Sequence, residues 1–199
     1  MTDCRKPKIL IWDIETSYSL IADFSIGRRN SQLHYDNIQQ EWYIICAAWK
    51  WLGEDKVHSV SVLDDKKAFK KNPADDRVVC EALHKALDEA DVIVAHNGDK
   101  FDTKKLNARL WFHNIPPYSP VRSVDTYKAA RSAFALSSNR LDYMAKFKGY
   151  EGQVNSKGLW LRVLQGDKDA IKEMLAYNEV DVVELEKLYL DMLPWIKNH

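Results

Sequence analysis

Residues 8–16 carry the stretch KILIWDIET, an apolar run that turns acidic within a few positions. Its β-branched and aromatic side chains predict a buried strand over residues 8–13. Because side chains alternate along a strand, Asp13 and Glu15 are expected on the same face. Two carboxylates this close repel one another unless a cation neutralises them, and carboxylate oxygens are the ligands that Mg²⁺ and Mn²⁺ prefer. The stretch therefore predicts a strand that ends in a candidate metal site.

The remaining pattern predicts one domain in which a strand hairpin is followed by alternating strands and helices. Residues 42–51 (WYIICAAWKW) and 57–62 are expected to form the hairpin, and residues 92–95 (VIVA) a fully buried strand. Spacing and turn residues predict five helices, over residues 76–89, 125–133, 140–147 and 168–193 and from residue 103 onward. They also predict a strand over residues 121–124. This order is typical of a mixed α/β sheet that is covered by helices.

Two more acidic segments follow other predicted elements. Asp99 and Asp102 lie in HNGDKFD, directly after the 92–95 strand; alternatively, Asp102 would cap the next helix and Asp99 would be a turn residue. Tyr177 and Asp181 are four residues apart on the last helix and share its apolar face. A carboxylate there is costly unless it is paired or metal-bound, whereas Tyr177 alone would equally suit the core. The other acids of this helix are expected on its solvated face: Glu179, Glu184 and Glu186.

Composition excludes a membrane-spanning or disulfide-rich protein. The 199 residues include 29 basic and 29 acidic side chains, for a net charge of zero. No apolar run approaches the roughly 18–20 residues of a membrane helix, and charge interrupts the N-terminus too early for a secretory signal. The three cysteines, Cys4, Cys46 and Cys80, have neither disulfide-framework nor zinc spacing. We therefore expect a cytoplasmic protein that does not contact a membrane.

Charge is unevenly distributed along the chain. Residues 95–150 carry 10 basic and 4 acidic side chains, a net of +6, and each flanking part has a net of −3. Such a bias is typical of a phosphate-binding surface, although solvated helix faces would also produce it. Residues 17–41, with Arg28 and Arg29, are predicted to be an exposed insertion that either grips a substrate or is ordinary surface.

In their order and spacing, the three acidic segments resemble the motifs of the DEDD (DnaQ-like) 3′–5′ exonucleases. DIET at 13–16 matches the first motif, and HNGDKFD at 96–102 resembles the second motif of family B polymerase proofreading domains. Residues 177–181, YNEVD, match the third motif of the tyrosine (DEDDy) branch; the histidine branch would carry its histidine where Ala176 stands. SVDTYKAARS and RLDYMAKFKG also resemble the stretch between the second and third motifs. The extra acid Asp99 departs from the family pattern and leaves open a role shared with Asp102.

The resemblance implies a ribonuclease-H-like fold with three antiparallel strands, then parallel strands, flanked by α-helices. It implies one 3′–5′ exonuclease domain over residues 1–199 that hydrolyses phosphodiester bonds at the 3′ end of a nucleic acid, with single-stranded DNA ends favoured. The cofactors would be two Mg²⁺ or Mn²⁺ ions, and the products nucleoside monophosphates. The catalytic residues that it implies are Asp13, Glu15, Asp102, Tyr177 and Asp181. Of these, the metal ligands are Asp13, Glu15, Asp102 and Asp181.

The resemblance also implies a separate role for each site residue. Asp13 would bridge both ions, Glu15 and Asp181 would bind the ion that holds the attacking water, and Asp102 would serve the second ion. Tyr177 would orient the water. The residues expected to bind substrate are Thr16 and Asn97, against the terminal nucleotide, and Phe101, stacked on a base.

Three alternatives stay open at the level of sequence. A catalytically silent nucleic-acid-binding or scaffold domain would share the fold, although it would have no use for four repelling acids. An RNA-directed exonuclease and an endonuclease of the same broad fold would share the acids too. A proofreading role would require a polymerase or repair partner.

Overall fold

A computed structural model of the protein describes residues 5–23, 34–150 and 158–197. The strands in these ranges are β1 (Ile9–Thr16), β2 (Leu20–Ile21), β3 (Ile38–Gln40), β4 (Ile44–Trp51), β5 (Val57–Ser61), β6 (Val92–Ala95) and β7 (Arg122–Asp125). The helices are α1 (Lys66–Lys71), α2 (Arg77–Asp88), α3 (Asp102–Phe112), α4 (Thr126–Ala133), α5 (Leu141–Phe147), α6 (Leu159–Leu164) and α7 (Lys168–Met192). Short 3₁₀ turns cover Tyr35–Asn37, Val62–Asp64 and Leu193–Trp195.

The central sheet has five strands in the order β5-β4-β1-β6-β7. β1 pairs antiparallel with β4, which pairs antiparallel with β5. On its other side β1 pairs in parallel with β6, and β6 with β7. The predicted α/β class is therefore confirmed: three antiparallel strands continue into parallel strands, and helices flank the mixed sheet.

Alternation along β1 divides the core between the two faces of the sheet. Leu10, Trp12 and Ile14 pack into one cluster of buried residues that includes side chains of α2 and α3. Ile11 packs on the opposite face, in a second cluster formed with the C-terminal half of α7. Because Asp13 follows Ile11 by two positions, its side chain lies on the α7 face of the sheet.

Two helices and two short strands of the structure were not predicted. Helix α1 contains one buried apolar residue, Phe69, so it lacks the periodicity that identifies a helix in sequence. Helix α6 begins after Gly158, and β2 and β3 form a separate two-stranded sheet inside the expected 17–41 insertion. Residues 24–33, which include Arg28 and Arg29, lie outside the described residues.

The prediction that three glutamates of α7 lie on a solvated face is wrong for two of them. The Glu186 carboxylate pairs with the Lys50 ammonium of β4, and Glu184 is buried with 3% of its surface exposed. Glu179 is half-buried and accepts a hydrogen bond from the Ser59 hydroxyl at 2.5 Å. The cause is tertiary: α7 packs against β1, β4 and β5 and also against α5, so more than one of its faces is covered.

The described helices include none with both the length and the apolar character that crossing a bilayer requires. Cys46 and Cys80 are buried free thiols. Burial raises the pKa of the Cys46 thiol, so it behaves as a small apolar core residue. Cys4 lies outside the described residues.

A buried ion-pair network at Asp76 joins α2, α3 and β4. Both Asp76 carboxylate oxygens accept hydrogen bonds from the Arg109 guanidinium at 2.7 Å, and one also accepts from the Ile44 N–H at 2.8 Å. His113 Nε2 lies 2.5 Å from the other oxygen. Cys80 lies close enough to complete a possible metal-ligand set, but Arg109 already occupies both carboxylate oxygens. The cluster is therefore structural.

We expect Asp76→Ala to lower the free energy of unfolding by about 3–5 kcal/mol, because it leaves the buried Arg109 without its counter-charge. Urea unfolding followed by circular dichroism measures the change. The control Asp55→Ala removes an exposed carboxylate and is expected to change stability by less than about 0.5 kcal/mol. Equal stabilities of the two variants would contradict the assignment.

Candidate active site

Seven of the predicted site residues line one cleft of about 310 Å³ on the α7 face of the sheet. They are Asp13, Glu15, Asn97, Phe101, Asp102, Tyr177 and Asp181. They come from β1, from the turn after β6, from the start of α3 and from α7. Segments that are far apart in sequence thus converge on a single place.

The C-terminal end of β1 supplies Asp13 and Glu15, which share a face as predicted. Trp12 and Ile14 are buried on the opposite face, so neither acid can turn away without exposing the core. The pairing of β1 with β4 shifts register between Glu15 and Thr16. Such an irregularity redirects the strand where it occurs. The Thr16 carbonyl accepts a hydrogen bond from Trp160 Nε1 at 3.1 Å, and Thr16 is not among the described residues that line the cleft.

Helix α7 brings Tyr177 and Asp181 to the cleft from the other side. The side-chain amide of Asn178 donates to Asp13 Oδ2 at 2.6 Å and so ties α7 to β1. Carboxylate oxygens of Asp13, Glu15 and Asp181 all lie within 4.8 Å of one another. One divalent cation could therefore contact all three side chains.

Asp102 completes the acidic group as the first residue of α3. Its carboxylate accepts the Ile14 N–H at 3.3 Å, across the gap between α3 and β1. The alternative that Asp102 is the N-cap is wrong, because Phe101 occupies that position and makes no side-chain capping bond. At the helix N-terminus, the partial positive charge of the peptide dipoles favours a carboxylate.

A tight turn after β6 places Asn97 and Asp102. Asn97 has a left-handed φ of 64°, and its carbonyl accepts from the N–H groups of Lys100 and Phe101 at 3.2 and 3.1 Å. Gly98 must be glycine here, since a Cβ would lie 2.3 Å from the Ala95 Cβ. The turn is further held by Asp125, whose carboxylate accepts the Asn97 N–H at 3.0 Å.

The extra acid of the second motif, Asp99, faces away from the cleft. Its carboxylate accepts from the Ser123 hydroxyl and from the Lys128 ammonium, each at 2.6 Å. Asp99 lines a neighbouring cavity beside β7 and α4. The geometry therefore gives the acidic position in the cleft to Asp102 rather than to Asp99.

Three acids of the cleft, Asp13, Glu15 and Asp102, have no cationic side-chain partner in the part of the chain that the structure describes. Burial, reinforced by mutual repulsion, raises the pKa of Asp13 and of Glu15 well above the ordinary carboxyl range. Burial also raises the pKa of Asp102. In the ranges that the structure describes, no lysine or arginine forms an ion pair with any of these three acids. A donor set made of oxygen atoms with excess negative charge fits hard divalent cations such as Mg²⁺ or Mn²⁺.

Tyr177 is half-buried beside the acids. Burial and the carboxylate of Asp181 raise the pKa of its phenol above the usual value of about 10. The hydroxyl therefore stays protonated at neutral pH, when it can donate or accept a hydrogen bond but cannot serve as a base.

Sequence reasoning missed several residues that line or support the cleft. The additional lining residues are Ile14, His96, Tyr127, Arg140, Leu141 and Asp142. His96 Nδ1 lies 2.9 Å from the Thr126 hydroxyl and Nε2 lies 2.7 Å from the Asn139 carbonyl oxygen, so the ring connects the turn to the segment before α5. Asn178 had a detectable signal, because it precedes Asp181 by three positions on the same helix face. The others depend on loop geometry, which leaves no periodic pattern.

The family model of the RNase_H superfamily (RNase_H_2) matches residues 52–193, which is more than half of the chain. The chain belongs to the ribonuclease H superfamily. The matched stretch includes Asp102, Tyr177 and Asp181, whereas β1 with Asp13 and Glu15 precedes it. Membership supports a nuclease-type function for this domain. No match was found among curated proteins.

A solved structure with the same fold is the family B DNA polymerase from the hyperthermophilic archaeon Pyrobaculum calidifontis. It superimposes with a TM-score of 0.68 at 17% sequence identity. The match covers 95% of this chain and 25% of the polymerase chain, so the protein spans about a quarter of that polymerase's length. At this identity, the similarity shows a shared fold.

We expect Gly98→Ala to destabilise the protein by about 1–3 kcal/mol, since the added methyl group collides with Ala95. The double variant Ala95→Gly/Gly98→Ala removes the colliding Cβ and is expected to recover most of the loss. Thermal and urea unfolding of both variants measure the effect. A double variant no more stable than Gly98→Ala would show that crowding at this turn is not the cause.

Divalent cations are expected to raise the melting temperature, because a ligand bound by the folded state alone stabilises it. In EDTA, Asp13→Asn should melt higher than the wild type, since it removes one repelling charge and keeps an acceptor for Asn178. In Mn²⁺ the same variant should gain much less than the wild type. The control Glu54→Gln, in the β4–β5 turn, should respond to Mn²⁺ as the wild type does. A full Mn²⁺ response in Asp13→Asn would contradict the metal assignment.

Proposed function

We propose that the protein is a metal-dependent 3′–5′ exonuclease of the tyrosine (DEDDy) branch, with residues 1–199 forming one catalytic domain. The observation that supports this most is the meeting of Asp13, Glu15 and Asp181 from β1 and α7, with carboxylate oxygens within 4.8 Å of one another. Such a cluster is unfavourable in a folded protein unless cations neutralise it. The superfamily assignment supports phosphodiester hydrolysis as the use of those cations.

Asp13, Glu15, Asp102 and Asp181 would hold two Mg²⁺ or Mn²⁺ ions. Bound there, the ions would supply positive charge at the phosphate and acidity to a coordinated water. The chain's contribution is to hold the ligands in place. Asn178 orients Asp13, and the Ile14 N–H orients Asp102, so hydrogen bonds hold both of these carboxylates before any ion binds.

Tyr177 would orient the attacking water. Its hydroxyl is protonated at neutral pH and its ring lines the same cleft as the acids. A phenol in this state can donate to, or accept from, a water molecule beside the phosphate. The role of Tyr177 is therefore to position the water. The bound ions would make the water acidic enough to release its proton to solvent without a strong base.

The rim of the cleft would bind the terminal nucleotide of a strand. Phe101 is 39% exposed at the entrance, where its ring can stack on a base. Asn97 lies beside it in the turn after β6 and offers a side-chain amide to the nucleotide. Contact by Thr16 remains a prediction. The proposed substrate is a nucleic acid with a free 3′ end, DNA in preference to RNA.

Digestion of a 5′-labelled dT20 strand tests the proposal. In Mg²⁺ or Mn²⁺ we expect a ladder that shortens from the 3′ end, and none in EDTA. Asp13→Asn should lower the rate by roughly a hundred- to a thousandfold, as expected when charge stabilisation in the transition state is lost. Glu54→Gln, folded and charge-matched, should retain the wild-type rate. A labelled rU20 strand compares RNA with DNA.

A circular single strand distinguishes exonuclease from endonuclease action. It has no 3′ end, so it should survive an incubation that consumes the linear strand. Cutting of the circle would establish an endonuclease. Equal inactivity of wild type and Asp13→Asn on all strands, in either metal, would favour the silent binding domain.

A further inference from the structure

Helix α3 extends from the candidate active site with an exposed face of aromatic rings and lysines. Trp111 and Phe112, near its C-terminal end, are 86% and 64% exposed. Single exposed apolar residues are ordinary, but large exposed rings grouped on one surface mark a binding site. This surface, the aromatic ridge, comprises Phe101, Lys104, Lys105, Trp111 and Phe112 of the α3 segment and the neighbouring Trp42.

Cation–ring contacts connect Phe101 with Trp42 and Phe112 through the side chains of Lys105 and Arg109. Lys105 Nζ lies 3.5 Å from the centre of the Trp42 ring and 5.6 Å from that of Phe101. Farther along, the Arg109 guanidinium carbon lies 5.9 Å from the Trp42 centre and 4.3 Å from the Phe112 centre. A second cleft, of about 590 Å³, lies over this far end. The ridge thus connects the acidic cleft, bordered by Phe101, with a second concave surface.

The charge of the ridge complements a phosphate backbone. Asp102, inside the active-site cleft, is the one acid in the sequence of α3. In the described ranges neither Lys104 nor Lys105 forms a salt bridge. Arg109 instead forms a buried ion pair with Asp76, and its guanidinium packs against the Phe112 ring. Glu41 borders the ridge, and its carboxylate accepts from the Ser19 hydroxyl and the Trp42 N–H.

We propose that the aromatic ridge binds the single-stranded segment that lies 5′ to the terminal nucleotide in the cleft. This proposal rests on the proposed function, since that function places the 3′ end at the acids. The 11 residues of α3 extend for roughly 16 Å, which is long enough to contact several consecutive nucleotides. Unpaired bases present flat faces to exposed rings, and the lysines would lie near their phosphates. A protein partner would also cover the rings, but the positive charge of Lys104 and Lys105 and the continuity with the acidic cleft favour a nucleic acid.

Binding measurements separate this proposal from catalysis. Fluorescence anisotropy would follow 5′-labelled dT3, dT12 and rU12, with Mg²⁺ present, in the full chain carrying Asp13→Asn so that the strands stay intact. The parent should bind the 12-mers more tightly than dT3. Adding Trp111→Ala/Phe112→Ala should weaken 12-mer binding by about tenfold, because stacked bases lose their rings, and leave dT3 unchanged.

Two control variants test whether rings at these positions are what matters. Trp111→Phe/Phe112→Tyr keeps both rings and should retain most of the 12-mer affinity. Phe147→Ala removes a ring that is 65% exposed on α5, outside the ridge, and should change nothing. All the altered side chains are exposed, so the variants should fold, which circular dichroism checks.

The outcomes distinguish the two proposals. Unchanged 12-mer affinity in Trp111→Ala/Phe112→Ala would overturn the ridge as a strand-binding surface, even if the wild type digests strands from the 3′ end. Ring-dependent binding of 12-mers, with no digestion of any strand by the wild type, would support the ridge and overturn the exonuclease. Weaker 12-mer binding in Phe147→Ala of the same size would also overturn the ridge, because the effect would not be local.

Discussion

The repulsion among buried carboxylates is the constraint on which the rest of this structure depends. Asp13, Glu15 and Asp181 place oxygens within 4.8 Å of one another, and Asp102 adds a fourth acid beside them. Isolated, these groups would push the elements that carry them apart. They stay together because each lies on an element fixed elsewhere: β1 between two paired strands, α3 by the Asp76 network, and α7 by packing on the sheet. The fold thus supplies the free energy that holds an unfavourable cluster ready for cations.

Acids outside this cluster have a different role, because their carboxylates stabilise the fold. Asp76 and Asp125 are also acids at the starts of helices, yet their oxygens serve the backbone and a fixed guanidinium. Asp99 is one turn from Asp102 but is neutralised by Lys128. Asp13, Glu15 and Asp102 differ because no lysine or arginine in the described ranges pairs with them, and this difference, more than their being acidic, favours a metal site. Several basic side chains of residues 95–150 also have structural partners. Arg109, Lys128, Arg140 and Lys148 form ion pairs with acids.

Helix α7 shows that a sequence pattern predicts the burial of some side chains and not of others. Its apolar stripe predicted that Asp181 faces the protein, which the structure confirms. The stripe also implied a solvated opposite face, and there the prediction about Glu184 and Glu186 fails because a second group of elements covers that side. The periodicity of a helix shows which of its faces are apolar. It does not show that a charged side chain such as Glu186 is buried by an ion pair with Lys50. Asn178, whose amide joins α7 to Asp13, shares a helix face with Asp181, but its spacing does not reveal which side chain it contacts.

By itself the sequence determined the order along the chain of the five strands of the central sheet, the alternation that puts Asp13 and Glu15 on one face, and the helical spacing that pairs Tyr177 with Asp181. These are local properties, set by side-chain periods of two and about 3.6 residues. Only the tertiary structure decided that Asp102 rather than Asp99 joins them, because that choice depends on the path of the turn after Ala95 and on where Lys128 and Ser123 lie. The aromatic ridge was likewise invisible in sequence, since Trp42, just before β4, meets Lys105 and Arg109 of α3 only in the folded protein. Distances between elements are a product of packing, and no pattern along the chain encodes them.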